Sequence, residues 1–170
     1  MKQLPEDCNL VIGDLIINQG DENYMYKLES LLYLFGSIAI QNTYLETMER
    51  LYNLRYILNL NSSNPVIQIV GNQLLKSAYL RDIQNIITNG NRTAIFQDND
   101  PNLFDEGVCD LLGVQYYEGE KYRKRLDFVG GDCGKRVDVV ERVYQNLESG
   151  KCEFLSTSVL SLLLAWIFSN

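Results

Sequence analysis

Asp98 and Asp100, separated only by Asn99, are the carboxylates in this chain whose spacing most suggests chemistry. Together with Asn102 they open like a calcium loop, in which oxygen-bearing side chains alternate around the ion. The sixth and twelfth positions of that loop, however, are Leu103 and Cys109. The loop needs glycine at the first for its sharp turn and glutamate at the second for bidentate ligation, so the match fails there. Two neighbouring acids could also act on a sugar, one protonating the leaving oxygen while the other serves as base or nucleophile. A carbohydrate-active β-helix enzyme is therefore the remote alternative, weakened because both acids stand in a turn that ordinarily just exposes polar groups. The chain has no histidine, which removes the usual general base of Ser/His and Cys/His hydrolases and the commonest zinc ligand. We assign no catalytic, cofactor-binding or metal-binding residue and expect a protein that is not an enzyme.

The four cysteines are Cys8, Cys109, Cys133 and Cys152, with no CxxC pair, a pattern that argues against zinc. An even count fits an oxidised, extracellular framework, yet the N-terminal MKQLPEDC contains no apolar signal-peptide core. Two readings stay open: a leader lies upstream of this sequence, or the cysteines are free thiols in a cytosolic protein. The stretch YYEGEKYRKRL places Lys121, Arg123, Lys124 and Arg125 among tyrosines, a combination that can bind RNA or phosphate. Against a net charge of −7 it reads better as a solvated connector, and the overall acidity argues against nucleic acid or an anionic membrane surface as partner.

The elements that must position these residues emerge from internal repeats. Leu28, Leu31 and Leu34 recur as Leu51, Leu54 and Ile57, then as Leu80, Ile83 and Ile86, at steps of 23 and 29 residues. Four alternating strands follow the same rhythm: GDLIIN from Gly13, GSIAIQ from Gly36, PVIQIV from Pro65 and RTAIFQ from Arg92. Their alternate positions form one apolar column of Leu15, Ile38, Ile67 and Ala94, and a second of Ile17, Ile40, Ile69 and Phe96. The second column steps by 23, 29 and 27 residues, so two separately aligned patterns share one irregular period. That is the signature of a coil with unequal rungs, an α/β chain built as a short right-handed parallel β-solenoid. Strands stacked about 4.8 Å apart must keep every inward column apolar, as both columns do.

Three residues beyond the second column stand Gly20, Thr43, Asn72 and Asn99, where the chain turns. Asn and Thr can hydrogen-bond the backbone of the neighbouring rung there, which predicts a short polar ladder. Alternation that buries Leu15 and Ile17 predicts an exposed strip on the opposite side, made of Ile16, Asn18, Ala39, Gln41, Gln68, Val70, Ile95 and Gln97. The strip carries no charge, so a partner could dock on it without desolvating ions. The polar insert LNLNSSNP and the next inter-rung turn contain Asn61-Ser62-Ser63 and Asn91-Arg92-Thr93, two glycosylation sequons to be used if the chain is secreted.

The succession CNLVIGDLII from Cys8, GSIAIQNTYL from Gly36, LYNLRYI from Leu51, IQIVGNQLL from Ile67 and FQDNDPNLF from Phe96 resembles the receptor L domain, over Cys8 to Cys109. That leucine-rich-repeat-like domain forms the ligand-binding lobes of the insulin and epidermal growth factor receptors, and the wording is most similar to the kinase-lacking nematode members. The resemblance implies a non-catalytic domain that binds a protein or peptide ligand on a sheet face and modulates growth-factor receptor signalling. It departs from the receptors in lacking a second early cysteine, which leaves Cys8 without a local partner. Of the three connectivities that four cysteines allow, the preferred bridge joins Cys109 to Cys133 and closes the last rung. A bridge from Cys8 to Cys152 would have to link opposite ends of the coil, and both are left unassigned.

Residues 110–153 are read as a connector carrying an amphipathic helix over Arg136 to Leu147, where Val137, Val140, Val143, Tyr144 and Leu147 fall at helical spacing. The C-terminal run Phe154 to Phe168 is continuously apolar, but fifteen residues span only roughly 22 Å as a helix against a ~30 Å hydrocarbon core. It is read as a membrane attachment, either a short span or a glycolipid-anchor signal, or as the opening of a second L domain. Recognition at the cell surface or outside the cell is the leading function. An intracellular tail-anchored scaffold on the cytoplasmic face of a membrane is the alternative.

Overall fold

In a computed structural model of the chain, the residues described are 1–60, 63–78, 80, 82–89, 93–104, 109, 126–143 and 151–152. Among the described residues there are ten strands: β1 (Leu10–Ile12), β2 (Leu15–Asn18), β3 (Tyr33–Phe35), β4 (Ile38–Gln41), β5 (Tyr56–Asn59), β6 (Ile67–Val70), β7 (Asn85–Thr88), β8 (Thr93–Gln97), β9 (Asp127–Val129) and β10 (Lys151–Cys152). They form two five-stranded sheets, β10-β1-β3-β5-β7 and β2-β4-β6-β8-β9, so that β1 to β8 alternate between the sheets, while β9 joins the even-numbered strands and β10 the odd-numbered ones. All pairings are parallel except that of β10 with β1. Register follows the apolar columns: Ile17 pairs with Ile40, Ile40 with Ile69, and Ile69 with Phe96, while Leu34, Ile57 and Ile86 align in the other sheet. A one-residue slip anywhere would turn a column from core to surface, which holds this register. The two inward faces meet in one core that includes Leu28, Leu31, Leu51 and Leu54, each essentially without solvent contact.

Short connections close each repeat. A 3-10 helix over Glu22–Leu28 and another over Glu49–Leu51 deliver buried Met25, Leu28 and Leu51 to the core. At the end of the second-sheet strands the backbone enters the left-handed region at Asn42 (φ 53°), Gly71 (φ 73°) and Asp98 (φ 59°). Asn, Gly and Asp are the residue types that tolerate this conformation.

At the corner between the sheets, a Cβ on Gly36 would collide with the carbonyl of Gly13 in the preceding repeat. The neighbour there is backbone and cannot move aside. Gly36→Ala is therefore expected to destabilise the fold by about 1–3 kcal/mol, read as a lower urea midpoint with unchanged slope.

The polar ladder forms at the turn. Thr43 Oγ1 donates to Asn72 Oδ1 at 2.7 Å, Asn72 Nδ2 donates to Asn99 Oδ1 at 3.0 Å, and Asn99 Nδ2 donates to Asp132 Oδ2 at 2.8 Å. Asp132, which follows β9, extends the ladder one step beyond the sequence expectation and also accepts from the backbone N–H groups of Asp98 and Asn99.

Disulfides tie the two ends. Cys109 is bonded to Cys133, and Cys8 to Cys152. The second bridge does not have to link opposite ends of the coil, because the chain comes back: β10 lies antiparallel on β1, its Cys152 opposite Val11. Among the described residues no helix is long and apolar enough to cross a membrane. Asn61, Asn91 and the run Phe154 to Phe168 lie outside the described residues.

The helix expected over Arg136 to Leu147 does not form across residues 136–143, which run without helical hydrogen bonding; 144–147 lie outside the described residues. Val137, Val139, Val140 and Val143 are β-branched and disfavour helix. The main chain of the segment bonds instead to side-chain amides of the second sheet.

Candidate ligand-binding face

The outward positions of β2, β4, β6 and β8 were expected to face solvent. Most are buried: Ile16 is 7% exposed, Ala39 0%, Gln41 and Gln68 2% each, and Gln97 3%, while Asn18, Val70 and Ile95 are half-buried. Alternation decides only which side of a sheet a residue occupies; it cannot register a distant segment laid across that side. Here the chain's own residues 136–142 cover the strip.

The contacts are made by side-chain amides. Gln97 Nε2 donates to the carbonyl of Val137 at 3.2 Å, and the N–H of Val137 donates back to Gln97 Oε1 at 3.0 Å. Gln41 repeats the arrangement, with Nε2 donating to the carbonyl of Arg142 and the N–H of Arg142 donating to Oε1, both at 2.9 Å. Between them Gln68 Nε2 donates to the carbonyl of Val140 at 3.0 Å, and Asn18 Nδ2 adds a bond to the Arg142 carbonyl at 3.2 Å. The amides also bond one another, Gln68 Nε2 to Gln41 Oε1 at 2.6 Å and Gln41 Nε2 to Asn18 Oδ1 at 3.0 Å. A carboxamide carries both a donor and an acceptor, as a peptide group does. The row Asn18, Gln41, Gln68 and Gln97 thus imitates a strand edge and grips a main chain passing over β8, β6, β4 and β2 in turn.

Ion pairs fix both ends of the segment. Arg136 makes a bidentate pair with Asp98, at 2.6 and 2.7 Å. This hydrogen bonding holds the Asp98 carboxyl below the usual aspartate range, against a weaker opposing effect of desolvation, and pushes the Arg136 guanidinium up. At the other end Arg142 Nη2 meets Asp14 Oδ2, with the arginine side chain 9% exposed. Asp14 is oriented by Ser37, whose N–H and Oγ donate to Oδ1 at 2.9 and 2.7 Å. Asp98 is thereby engaged with arginine, and Asp100 Oδ1 accepts from the backbone N–H and the Nδ2 of Asn102 at 2.8 Å each. Among the described residues no group of three or more Cys, Asp or Glu side chains could hold a metal ion.

Sequence comparison decides what this framework is. Residues 7–109, more than half of the chain, match the receptor L domain family model. The chain belongs to the receptor L domain family. Receptor L domains are ligand-binding, non-enzymatic domains, and the two parallel sheets and two disulfides described above fit that class. Comparison with the curated proteins and with the solved structures returned no match. The family match ends at residue 109, so Asp132, Arg136 and Arg142, which complete the L domain's ladder and cover its face, lie beyond it.

Sequence reasoning placed the amide row on one face but missed Asp14, Asp132 and both arginines. A signal was present: uncharged Asn and Gln recur outward in the strands of every repeat, although exposed strand positions have no need of them.

Proposed function

We propose that this L domain is a non-catalytic recognition module that binds a protein or peptide ligand on the outward face of β2, β4, β6 and β8. The observation that carries the reading is that the amide row already grips a peptide main chain through reciprocal hydrogen bonds at Gln41 and Gln97. The alternation of odd and even strands supports a short right-handed solenoid, because parallel crossover connections are almost always right-handed. The two disulfides support a location at the cell surface or outside the cell, where Asn61 and Asn91 would be available for glycosylation. Attachment through Phe154 to Phe168 and modulation of growth-factor receptor signalling belong to the same proposal.

The test replaces Gln68 by Leu, and separately Gln97 by Leu, in the disulfide-bonded protein. Each substitution removes the donor to the passing main chain while nearly keeping side-chain volume, so stability should fall by only about 1 kcal/mol. Binding to a partner isolated by cross-linking on cell surfaces should weaken about 10-fold or more, measured by biolayer interferometry. Undiminished binding with both substitutions would move the ligand site off this face.

A further inference from the structure

The segment over the amide row has the attachments of a ligand rather than of a core element. Apart from the Arg142 side chain, which is 9% exposed, residues 136–143 are half-buried or exposed, and Val140 and Val143 are 80% and 61% exposed. Its apolar side chains therefore contribute little, and it is held by main-chain hydrogen bonds and by the two arginines at its ends. Arg142 is imperfectly matched as well: Nη1 is buried and has no hydrogen-bond partner. The amides underneath are uncharged, and Gln68, Gln41 and Asn18 bond one another in a row, so part of the surface is ordered by contacts that do not involve the segment lying on it. Because what Gln41 and Gln97 engage in the residue above them is its N–H and carbonyl and not its side chain, the row specifies an extended backbone and leaves most side chains unread. The side chains read most strongly are two guanidiniums, Arg142 over Asp14 and the more exposed Arg136 over Asp98.

We propose that residues 136–142 are a built-in occupant of the amide row, and that the external ligand is an extended peptide segment of a protein partner, with an arginine over Asp14, which displaces them. This rests on the ligand face proposed above. Both ends of the displaced segment stay tethered, at Cys133 through its bridge to Cys109 and at Cys152 through its bridge to Cys8, so release is local and reversible.

The probe is the capped, fluorescently labelled peptide RVDVVERV, which reproduces residues 136–143. Its binding is measured by anisotropy to the full chain and to the Arg136→Ala, Arg142→Ala double variant, whose own segment has lost both ion pairs. The double variant should bind the peptide about 10-fold or more tightly than the wild type. A peptide with alanine in place of the second arginine should lose about 10-fold, whereas one with its valines replaced by threonines should bind within about 3-fold. Hydrogen exchange of the unmodified chain supplies a readout that needs no variant. The N–H groups of Val137 and Arg142 should exchange by local opening, well before those of Ile40 and Ile69. Exchange of all four only on global unfolding, or equal and negligible peptide binding by both proteins, would overturn the inference. If that happens while Gln68→Leu still abolishes partner binding, only the built-in occupant falls. If Gln68→Leu leaves partner binding intact, the ligand face falls and takes the occupant with it. A wild-type dimer that the peptide cannot dissociate would assign the row to a second copy of the chain and equally overturn the external ligand.

Discussion

Replacing Asn72 by Ala is expected to cost about 3–5 kcal/mol, among the largest effects of any single substitution in this chain. The side chain is fully buried and bonds in three directions. Oδ1 accepts from the N–H of Thr43 at 3.0 Å and from Thr43 Oγ1 at 2.7 Å, while Nδ2 donates to the carbonyl of Ile40 at 3.0 Å and to Asn99 Oδ1 at 3.0 Å. Truncation leaves several of these groups buried without a partner, at about 1–3 kcal/mol each, and a water entering the vacated space recovers part of the loss. Asn72→Asp distinguishes hydrogen bonding from volume. It keeps the acceptor but removes the donor and sets a carboxylate against the Ile40 carbonyl and Asn99 Oδ1, so it should be at least as damaging as alanine. Urea unfolding followed by circular dichroism measures both. A cost below about 1 kcal/mol for either would show that the ladder contributes nothing structural.

Ile69→Ala should cost about 2–5 kcal/mol, and Ile69→Val about 0.5–1.5. Ile69 is fully buried in the middle of the second sheet, in register between Ile40 and Phe96. Both strand neighbours are fixed by pairing, so the cavity cannot collapse without breaking a ladder, which favours the upper part of the range. In a chain of this size each kcal/mol lowers the melting temperature by roughly 2–4 °C. A shift of only a degree or two for the alanine variant would contradict the column alignment itself.

Much of the fold was legible because a repeat reports its own environment. Ile17, Ile40, Ile69 and Phe96 sit in equivalent surroundings, so their shared apolar character and irregular step together identify the strand partners. The ladder residues Thr43, Asn72 and Asn99 were legible for the same reason, since each repeat turns at the same place and needs the same kind of polar side chain. Outside the repeat the signal weakened. The valines at 137, 140 and 143 satisfy a helical period, yet residues 136–143 are not helical, because β-branching and the waiting amides together outweigh a spacing of three.

By itself, the sequence determined which residues of the repeats face the core, that β2, β4, β6 and β8 stack in that order and in what register, and that the opposite face of the second sheet is uncharged and rich in amides. Tertiary structure alone decided that this face is covered, that Arg142 reaches Asp14 and Arg136 reaches Asp98, and that Cys152 meets Cys8. The physical reason is the range of the information. Column identity is local and repeated, so each repeat testifies to it. The return of residues 136–142 across four strands is a single long-range event between unlike segments, and no period records it.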